Sequence, residues 1–277
     1  MRNLILVIGF LIACSTSLIA QESPVQEHVF DAGVEIYNFH YSEPEIPMEE
    51  NGIMYGLAGA YTYHKDPYNR NNLMIKTEAR CAWGQVDYNG ELSDGTSYTM
   101  DNIDDFTWEL RGVAGKDFAF SDVTTITPYA GFAYRYLNDD SSSDPAGYGR
   151  EANYLYSPIG IQTITDLQNS WTVGIKAEYD LFWYGVQKSH LSDIDLGAGL
   201  ELDDMENRQN KGYGVGASVE FQRKGETVDF IIEPFIRYWN IEKSEVEDLK
   251  LNGITIGEGW EPANETTEAG IKFMARF

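Results

Sequence analysis

The last ten residues, Glu268-Ala269-Gly270-Ile271-Lys272-Phe273-Met274-Ala275-Arg276-Phe277, decide the fold class. Apolar or aromatic side chains occupy every second position from Ala269 to Phe277, and Glu268, Lys272 and Arg276 fall between them. Side chains of a β-strand point alternately to its two faces. This spacing therefore predicts a strand with one apolar and one charged face.

Similar alternation recurs along the chain. Ten segments carry it, at 29–42, 52–65, 73–88, 104–118, 124–137, 152–165, 170–187, 211–223, 227–241 and 266–277. The alternation is poor in 29–42 and around Pro158, and a β-bulge is expected at Pro158. Merging or splitting the weaker segments would give eight or twelve strands instead of ten.

The connections between the segments alternate in length. Those after even-numbered segments are short, at 66–72, 121–123, 165–169 and 224–226. Those after odd-numbered segments are mostly longer and acidic, at 43–51, 89–103, 138–151, 188–210 and 242–264. Short turns at one end and long loops at the other are typical of a transmembrane β-barrel. Tryptophans near the long-loop ends, at Trp83, Trp108, Trp183 and Trp239, match the aromatic girdles of such barrels.

We therefore predict an all-β protein: a transmembrane, antiparallel, up-and-down barrel of ten strands over residues 29–277. Its short turns would be periplasmic and its long acidic loops extracellular. The alternative is a soluble β-sandwich, which would bury the apolar face and expose the polar one to water.

The N-terminus carries a targeting pattern. Arg2 precedes an apolar run from Leu4 to Ala13, too short to span a bilayer and typical of a secretory signal. Cleavage after Ala20 would make residues 1–20 a signal peptide and 21–28 a short periplasmic segment. In the other interpretation Leu11-Ile12-Ala13-Cys14 is a lipoprotein box and Cys14 is lipidated.

The net charge is −24, with 44 acidic and 20 basic residues, and no basic patch is visible, which argues against a nucleic-acid partner. On the strand faces opposite the apolar ones, by contrast, acidic and basic residues are nearly equal in number. These ionisable residues are Glu35, Lys76, Glu78, Arg80, Glu109, Arg111, Arg135, Lys176, Glu178, Asp180, Glu220, Asp229, Glu233, Arg237, Glu268, Lys272 and Arg276. Since ten strands enclose a narrow lumen and unpaired buried charges are costly, a closed interior laced by salt bridges is expected. The acidity then belongs to loops, turns and strand ends.

The C-terminal pattern resembles the insertion signal of Gram-negative outer-membrane β-barrel proteins. The residues that carry it are Ile271, Phe273, Ala275 and Phe277. The resemblance implies an outer-membrane location, contact with membrane lipid and lipopolysaccharide, and recognition of the C-terminal strand by the barrel-assembly machinery.

Ten strands with five outer loops are also similar to the omptin family of outer-membrane proteases, which activate a water between an Asp pair and an Asp–His pair. The corresponding loops here hold Asp104 and Asp105, and His190 and Asp193. The spacing departs from the family motif: Asp104 and Asp105 are adjacent rather than one residue apart, and His190 precedes the acid.

No HExxH, GxSxG, P-loop or complete EF-hand motif is present in the sequence, so neither a cofactor nor a metal site is predicted. The acidic stretch of Asn138, Asp139, Asp140 and Asp144 could at most hold a divalent cation weakly. The expected function is structural or interactive, exercised through the outer loops, and the chain is expected not to be an enzyme. The alternatives are an omptin-like hydrolase and a narrow solute or ion channel.

Overall fold

The computed structural model describes residues 26–66, 69, 71–91, 95–144 and 147–277. The predicted signal peptide at 1–20 and most of the 21–28 segment lie outside these residues. No helix in the described ranges is long and apolar enough to cross a membrane.

Ten antiparallel strands close into one barrel, which confirms the predicted fold class and strand number. The strands are β1 (His28–Glu43), β2 (Met48–His64), β3 (Leu73–Glu91), β4 (Ser97–Lys116), β5 (Thr124–Asp140), β6 (Gly149–Gln168), β7 (Trp171–Ser189), β8 (Gly212–Arg223), β9 (Asp229–Ile241) and β10 (Asn264–Arg276). Each strand pairs with its neighbours in sequence, and β10 pairs with β1, so that Arg276 lies opposite Asp31. Closure leaves the barrel without an exposed strand edge.

The strands run further toward the long-loop end than the sequence predicts. β1 and β2 are separated only by residues 44–47, and β3 and β4 only by 92–96. The connections predicted at 43–51 and 89–103 are therefore mostly strand. Beyond the lipid the outer face no longer needs apolar side chains, so hydrophobic alternation fades while backbone pairing continues.

Two connections remain long, residues 190–211 and 242–263, and they pack together on the rim. The first contains a short strand, Met205–Gln209, paired with the end of β7, and the second contains a hairpin of Glu247–Leu251 and Ile254–Gly259. The fully buried Asn207 joins them, because its Nδ2 donates to the carbonyls of Glu245 (3.2 Å) and Gly259 (3.4 Å).

The bulge predicted at Pro158 lies instead in the partner strand. Leu155 pairs with Tyr184 but Tyr156 pairs with Phe182, so Trp183 of β7 is the extra residue. Pro158 itself sits opposite Asp180 without a register shift.

The outer face of the barrel is apolar over its middle and polar at the long-loop end. Large apolar side chains are exposed around the barrel, among them Val34, Leu57, Ile75, Leu110, Phe132, Ile175, Ile236 and Phe273. Exposed polar residues follow on the same face near the long loops, at Asn38, Glu49, Asn51, Asp87, Asp104 and Asp140. These polar positions mark where the strands leave the lipid, so the rim above them meets water.

Candidate functional site

The middle of the lumen is filled by a set of buried charges, here named the central network: Glu35, Arg80, Glu109, Arg111, Arg135, Glu178, Arg237 and Glu268. Glu268, which is 0% exposed, is bound by Arg135 and Arg237 at 2.7 Å each and by Arg80 at 3.3 Å. Four arginines thus face four glutamates, and every charge in the network has an opposite charge within 4.0 Å.

Glu178 provides a second anchor of the central network. Arg111 donates to both carboxylate oxygens of Glu178, one of them at 2.8 Å, and the Tyr129 hydroxyl donates at 2.7 Å. Such bidentate pairs fix geometry as well as charge. Asp180, the next inward residue of β7, is buried close by.

Nearer the short-turn end, further ion pairs line the lumen. Lys76 binds Glu78 at 2.9 Å, and Lys272 lies 3.5 Å from Glu233. At the very end Arg276 binds Asp31 (2.7 Å) and Glu220 (3.2 Å). Asp229 also lies at this end, where it accepts a hydrogen bond from Gln222. A cavity of about 90 Å³, lined in part by Lys176, separates this tier from the central network.

Above the central network, toward the long loops, the lumen is filled by apolar and aromatic side chains. One cluster contains Tyr37, Phe39, Met54, Ala82, Val86, Ile103 and Phe235. The other contains Ala133, Ala152, Tyr154, Tyr156, Phe182, Trp239 and Ile241. Arg135 lies 5.2 Å from the Trp239 ring, so the charged and aromatic layers are in contact.

A separate group of charges lies above the apolar layer, and we name it the outer cluster: Glu43, Glu50, Asp105, Asp139, Arg150 and Glu261. Arg150 binds Glu50 and Asp139 at 2.7 Å each and Glu43 at 3.3 Å. The Tyr41 hydroxyl donates to Glu43 (2.9 Å) and Glu261 (3.4 Å). Five acids therefore share one arginine.

Burial and mutual repulsion raise the pKa of several acids in the outer cluster. Burial, with the charge of Asp139 added to it, raises the pKa of Glu50 to about 8. Burial also raises the pKa of Glu261 to about 7, against the opposing effect of Arg150. The pKa of Asp105 is raised by burial and by Asp139. Most of this cluster was missed in the sequence, because Glu43, Glu50, Arg150 and Glu261 fall in or beside predicted loops. Inward-facing residues of β2 occupy even-numbered positions such as Met54, and extending this alternation toward the N-terminus predicts that Glu50 also faces inward.

The Asp pair of the omptin-like alternative is divided between the two faces of β4, while His190 and Asp193 lie beside Gly149 and are held by other partners. Asp104 faces outward and accepts from Gln85 (2.9 Å), whereas its neighbour Asp105 points inward into the outer cluster. His190 binds Asp204 and Glu151, both at 3.1 Å, and Asp193 accepts from the Gly149 amide at 3.0 Å. Although burial opposes them, hydrogen bonds from Ser192 and His190 hold the pKa of Asp204 below its usual range.

The acidic stretch from Asn138 to Asp144 does not form a site either. Asp139 belongs to the outer cluster, Asp140 accepts from Ser142, and Asp144 accepts from Tyr98. Within the part of the chain that the structure describes, no group of three His, Cys, Asp or Glu side chains is placed to hold a metal ion.

The predicted insertion signal lies on the outer face of β10 and just beyond it. Phe273 and Phe277 are exposed there, and Ile271 and Ala275 are half-buried. The Phe277 amide donates to the Phe30 carbonyl (2.9 Å) and the Phe30 amide donates back (3.2 Å), which extends the closing pair of strands.

Residues 48–222 match the family model of the autotransporter beta-domain, a match that covers more than half of the chain. The chain belongs to the autotransporter beta-domain family. No curated protein matches the sequence. Together with the closed barrel, this family membership places the chain in the bacterial outer membrane.

Several solved barrels are similar to this autotransporter beta-domain protein. The outer membrane protease OmpT from Escherichia coli shares its fold, with a TM-score of 0.60, 8% identity, and coverage of 92% of this chain and 99% of OmpT. The toluene transporter TbuX of Ralstonia pickettii has a TM-score of 0.38 at 9% identity, covering 91% of this chain and 90% of TbuX. The toluene transporter TodX of Pseudomonas putida has a TM-score of 0.27 at 8% identity, covering 90% of this chain and 89% of TodX. At 8% identity the likeness to OmpT concerns the fold alone.

Proposed function

We propose that this protein is a closed, non-conducting outer-membrane barrel whose role is structural or interactive and is exercised at the long-loop end. The main support for this proposal is that Glu268 is 0% exposed and forms ion pairs with three arginines in the middle of the lumen. A conducting lumen needs a continuous water-filled path, and here an interlocked set of side chains occupies its centre.

Opening such a lumen would be costly. Pulling one arginine away from Glu268 or Glu178 leaves a buried charge without its partner, which costs about 3–5 kcal/mol. The aromatic layer above the central network adds a second barrier, since Tyr156 and Trp239 stack edge to face across it with ring centroids 4.9 Å apart.

The partners follow from where the charge lies. The central network is neutral by formal charge, so the acidity of the chain belongs mainly to the rim, the loops and the turns. We therefore expect external partners that are cationic or that use cations as bridges, including lipopolysaccharide beside the rim. Membrane lipid would cover the apolar outer face, and β10 would be the strand read by the barrel-assembly machinery. Nucleic acid is not an expected partner, and no cofactor is proposed.

A liposome-swelling assay with the refolded protein tests the closed lumen. Vesicles that contain it should swell no faster than protein-free vesicles in isotonic arabinose or glycine, while vesicles with a general porin swell rapidly. Solute-dependent swelling above the protein-free rate would overturn the proposal and favour the channel alternative.

The hydrolase alternative is poorly supported by the rim. Both ring nitrogens of His190 face carboxylate oxygens, and both bonds form only when the ring carries two protons. Both ring nitrogens are therefore engaged with acids of the rim, and neither is left to face a substrate. We expect no cleavage of basic peptides by the parent protein, and cleavage that vanished in His190→Ala would restore the alternative.

A further inference from the structure

Glu50, Asp105, Asp139 and Arg150 of the outer cluster line part of a cavity of about 40 Å³. Carboxylates of Glu50, Asp105 and Asp139 line one part of it, and the aromatic rings of Phe39, Tyr41 and Tyr154 line another. A cavity of this volume has room for two or three water-sized groups.

Asp139 also has an unpartnered Oδ1 but is bound by Arg150 through its other oxygen, so the acid of the cluster that remains unexplained is Asp105. It is 8% exposed, yet its Oδ1 has no hydrogen-bond partner among the residues that the structure describes. Leaving a buried carboxylate oxygen unpaired is costly, and native proteins rarely do so without a functional reason. Arg150, the one basic group of the cluster, is already bound by Glu43, Glu50 and Asp139.

We propose that this cavity is a binding site for the ammonium group of a primary amine. An ammonium carries three N–H donors and one positive charge, so it can bind the free oxygen of Asp105 and reduce the negative excess of the cluster. The aromatic walls suit a cation attached to a short alkyl chain, because ring faces attract cations and apolar carbon alike.

The composition of the walls favours an amine over a metal ion. Ca²⁺ takes six to eight oxygen ligands and Mg²⁺ needs near-octahedral geometry. Across the described ranges no three acidic, His or Cys side chains converge as metal ligands. Here the carboxylates share the cavity wall with aromatic and apolar side chains, among them Phe39, Met54 and Tyr154. The side chains of Arg150 and Asp139 keep 14% and 15% exposure, so the cluster can be reached from the rim.

The charged and titratable groups that face the cavity come from several elements. Its lining contains Tyr41 of β1, Glu50 of β2, Asp105 of β4, Asp139 of β5, and Arg150 and Tyr154 of β6. The charges of Glu43 of β1 and Glu261 of the last long loop act on these groups from beside the lining. Glu50 has a pKa of about 8 and Glu261 of about 7, and burial raises the pKa of Asp105 as well, so these acids retain part of their protons near neutrality. Amine binding should therefore strengthen between pH 6 and pH 8.5, as these acids lose their protons.

Isothermal titration of the refolded full chain in detergent micelles with n-propylammonium chloride tests the site. We expect saturable binding that Asp105→Asn weakens at least about tenfold, the loss expected when a charged hydrogen-bond partner is removed. The matched control is Asp104→Asn, which makes the same change of charge one residue away but on the outward face, and it should bind like the parent.

Three results would overturn the proposal: no saturable binding to the parent, equal weakening by both variants, or equally tight binding of tetramethylammonium, which has no N–H donor. Saturable Mg²⁺ binding that depends on Asp105 and excludes propylammonium would assign the site to a metal instead and would also overturn it. If Asp105→Asn fails to fold, nuclear Overhauser effects from the propyl methyl group to aromatic protons in the parent decide the question. Their presence at the Phe39 or Tyr154 rings supports the proposal, and their absence there contradicts it. The site is independent of whether the lumen conducts.

Discussion

Glu268 shows how this barrel tolerates charge at its centre. Its carboxylate is bound by Arg80, Arg135 and Arg237, and the side chain is 0% exposed. A buried ion pair adds little net stability when both partners are counted, but removing one partner leaves an uncompensated charge. The ion pairs of Glu268 therefore add little net stability, but replacing Glu268 alone is expected to destabilise the barrel.

Glu268→Gln should lower the free energy of unfolding by about 3–5 kcal/mol, because three guanidinium groups then share too little negative charge. The control is Glu242→Gln, which breaks an exposed pair with Lys211 at 3.4 Å and should cost less than about 1 kcal/mol. Urea unfolding in micelles, followed by tryptophan fluorescence, measures both. Similar small losses for the two variants would contradict the role assigned to Glu268.

Glu50 gives a prediction about pH. Its ordinary pKa is 4.5 and its folded-state pKa is about 8, raised by burial and by Asp139. Between these values the folded protein keeps a proton that the unfolded chain releases, so this group makes stability fall as pH rises. For one proton the slope is at most about 1.4 kcal/mol per pH unit.

Glu50→Gln replaces the protonated acid by a neutral amide, so the variant should lose that slope and gain stability over the parent near pH 8. Glu49→Gln, which changes the exposed outward neighbour, should follow the parent. Unfolding curves at pH 5, 6.5 and 8 provide the comparison. A parent and a Glu50→Gln variant with parallel pH profiles would refute the assignment.

Strand β1 crosses from lipid to water within a few residues. On its outer face Val34 (50% exposed) and Ile36 (38%) are apolar, whereas Asn38 and His40 are polar. The same change occurs on β2 between Ile53 and Asn51. These pairs define the upper border of the apolar band.

Val34→Arg should cost about 2–4 kcal/mol, since a cation at this position, deeper in the band than Ile36, faces hydrocarbon. His40→Arg, on the same face of the same strand but above the border, should cost no more than about 1 kcal/mol. Urea titrations of folding into lipid vesicles measure the difference. Equal costs at both positions would place the border elsewhere.

The same border explains what the sequence could predict. Inside the band, alternation is enforced by lipid on one face and by the lumen on the other, so the ten strands and their inward charges, Lys76 and Arg237 among them, could be recognised. Above it both faces are polar, and strand residues such as Glu50 and Asp101 resemble loop residues in sequence. For this reason the sequence did not predict the outer cluster. Its residues come from five strands and a loop and meet only when the barrel closes, and no local sequence pattern indicates such contacts.

Charge is divided between two levels of the barrel. In the central network, within the membrane, four arginines balance four glutamates, whereas in the outer cluster, beyond the apolar band, one arginine faces five acids. Because the charges of the central network balance one another, this part of the lumen needs no additional ions or water to neutralise it. An acidic rim is suited to attract cations and cationic partners. The barrel thus separates a charge-balanced transmembrane part from an acidic outer end.

Single-channel recording in planar lipid bilayers tests the closed lumen most directly. The refolded protein should insert without stable conductance steps at 100 mV in 1 M KCl. The double variant Arg135→Ala/Trp239→Ala, which removes a buried guanidinium and the ring above it, should show frequent openings. Long-lived conductance steps in the parent, equal to those of the double variant, would contradict the account.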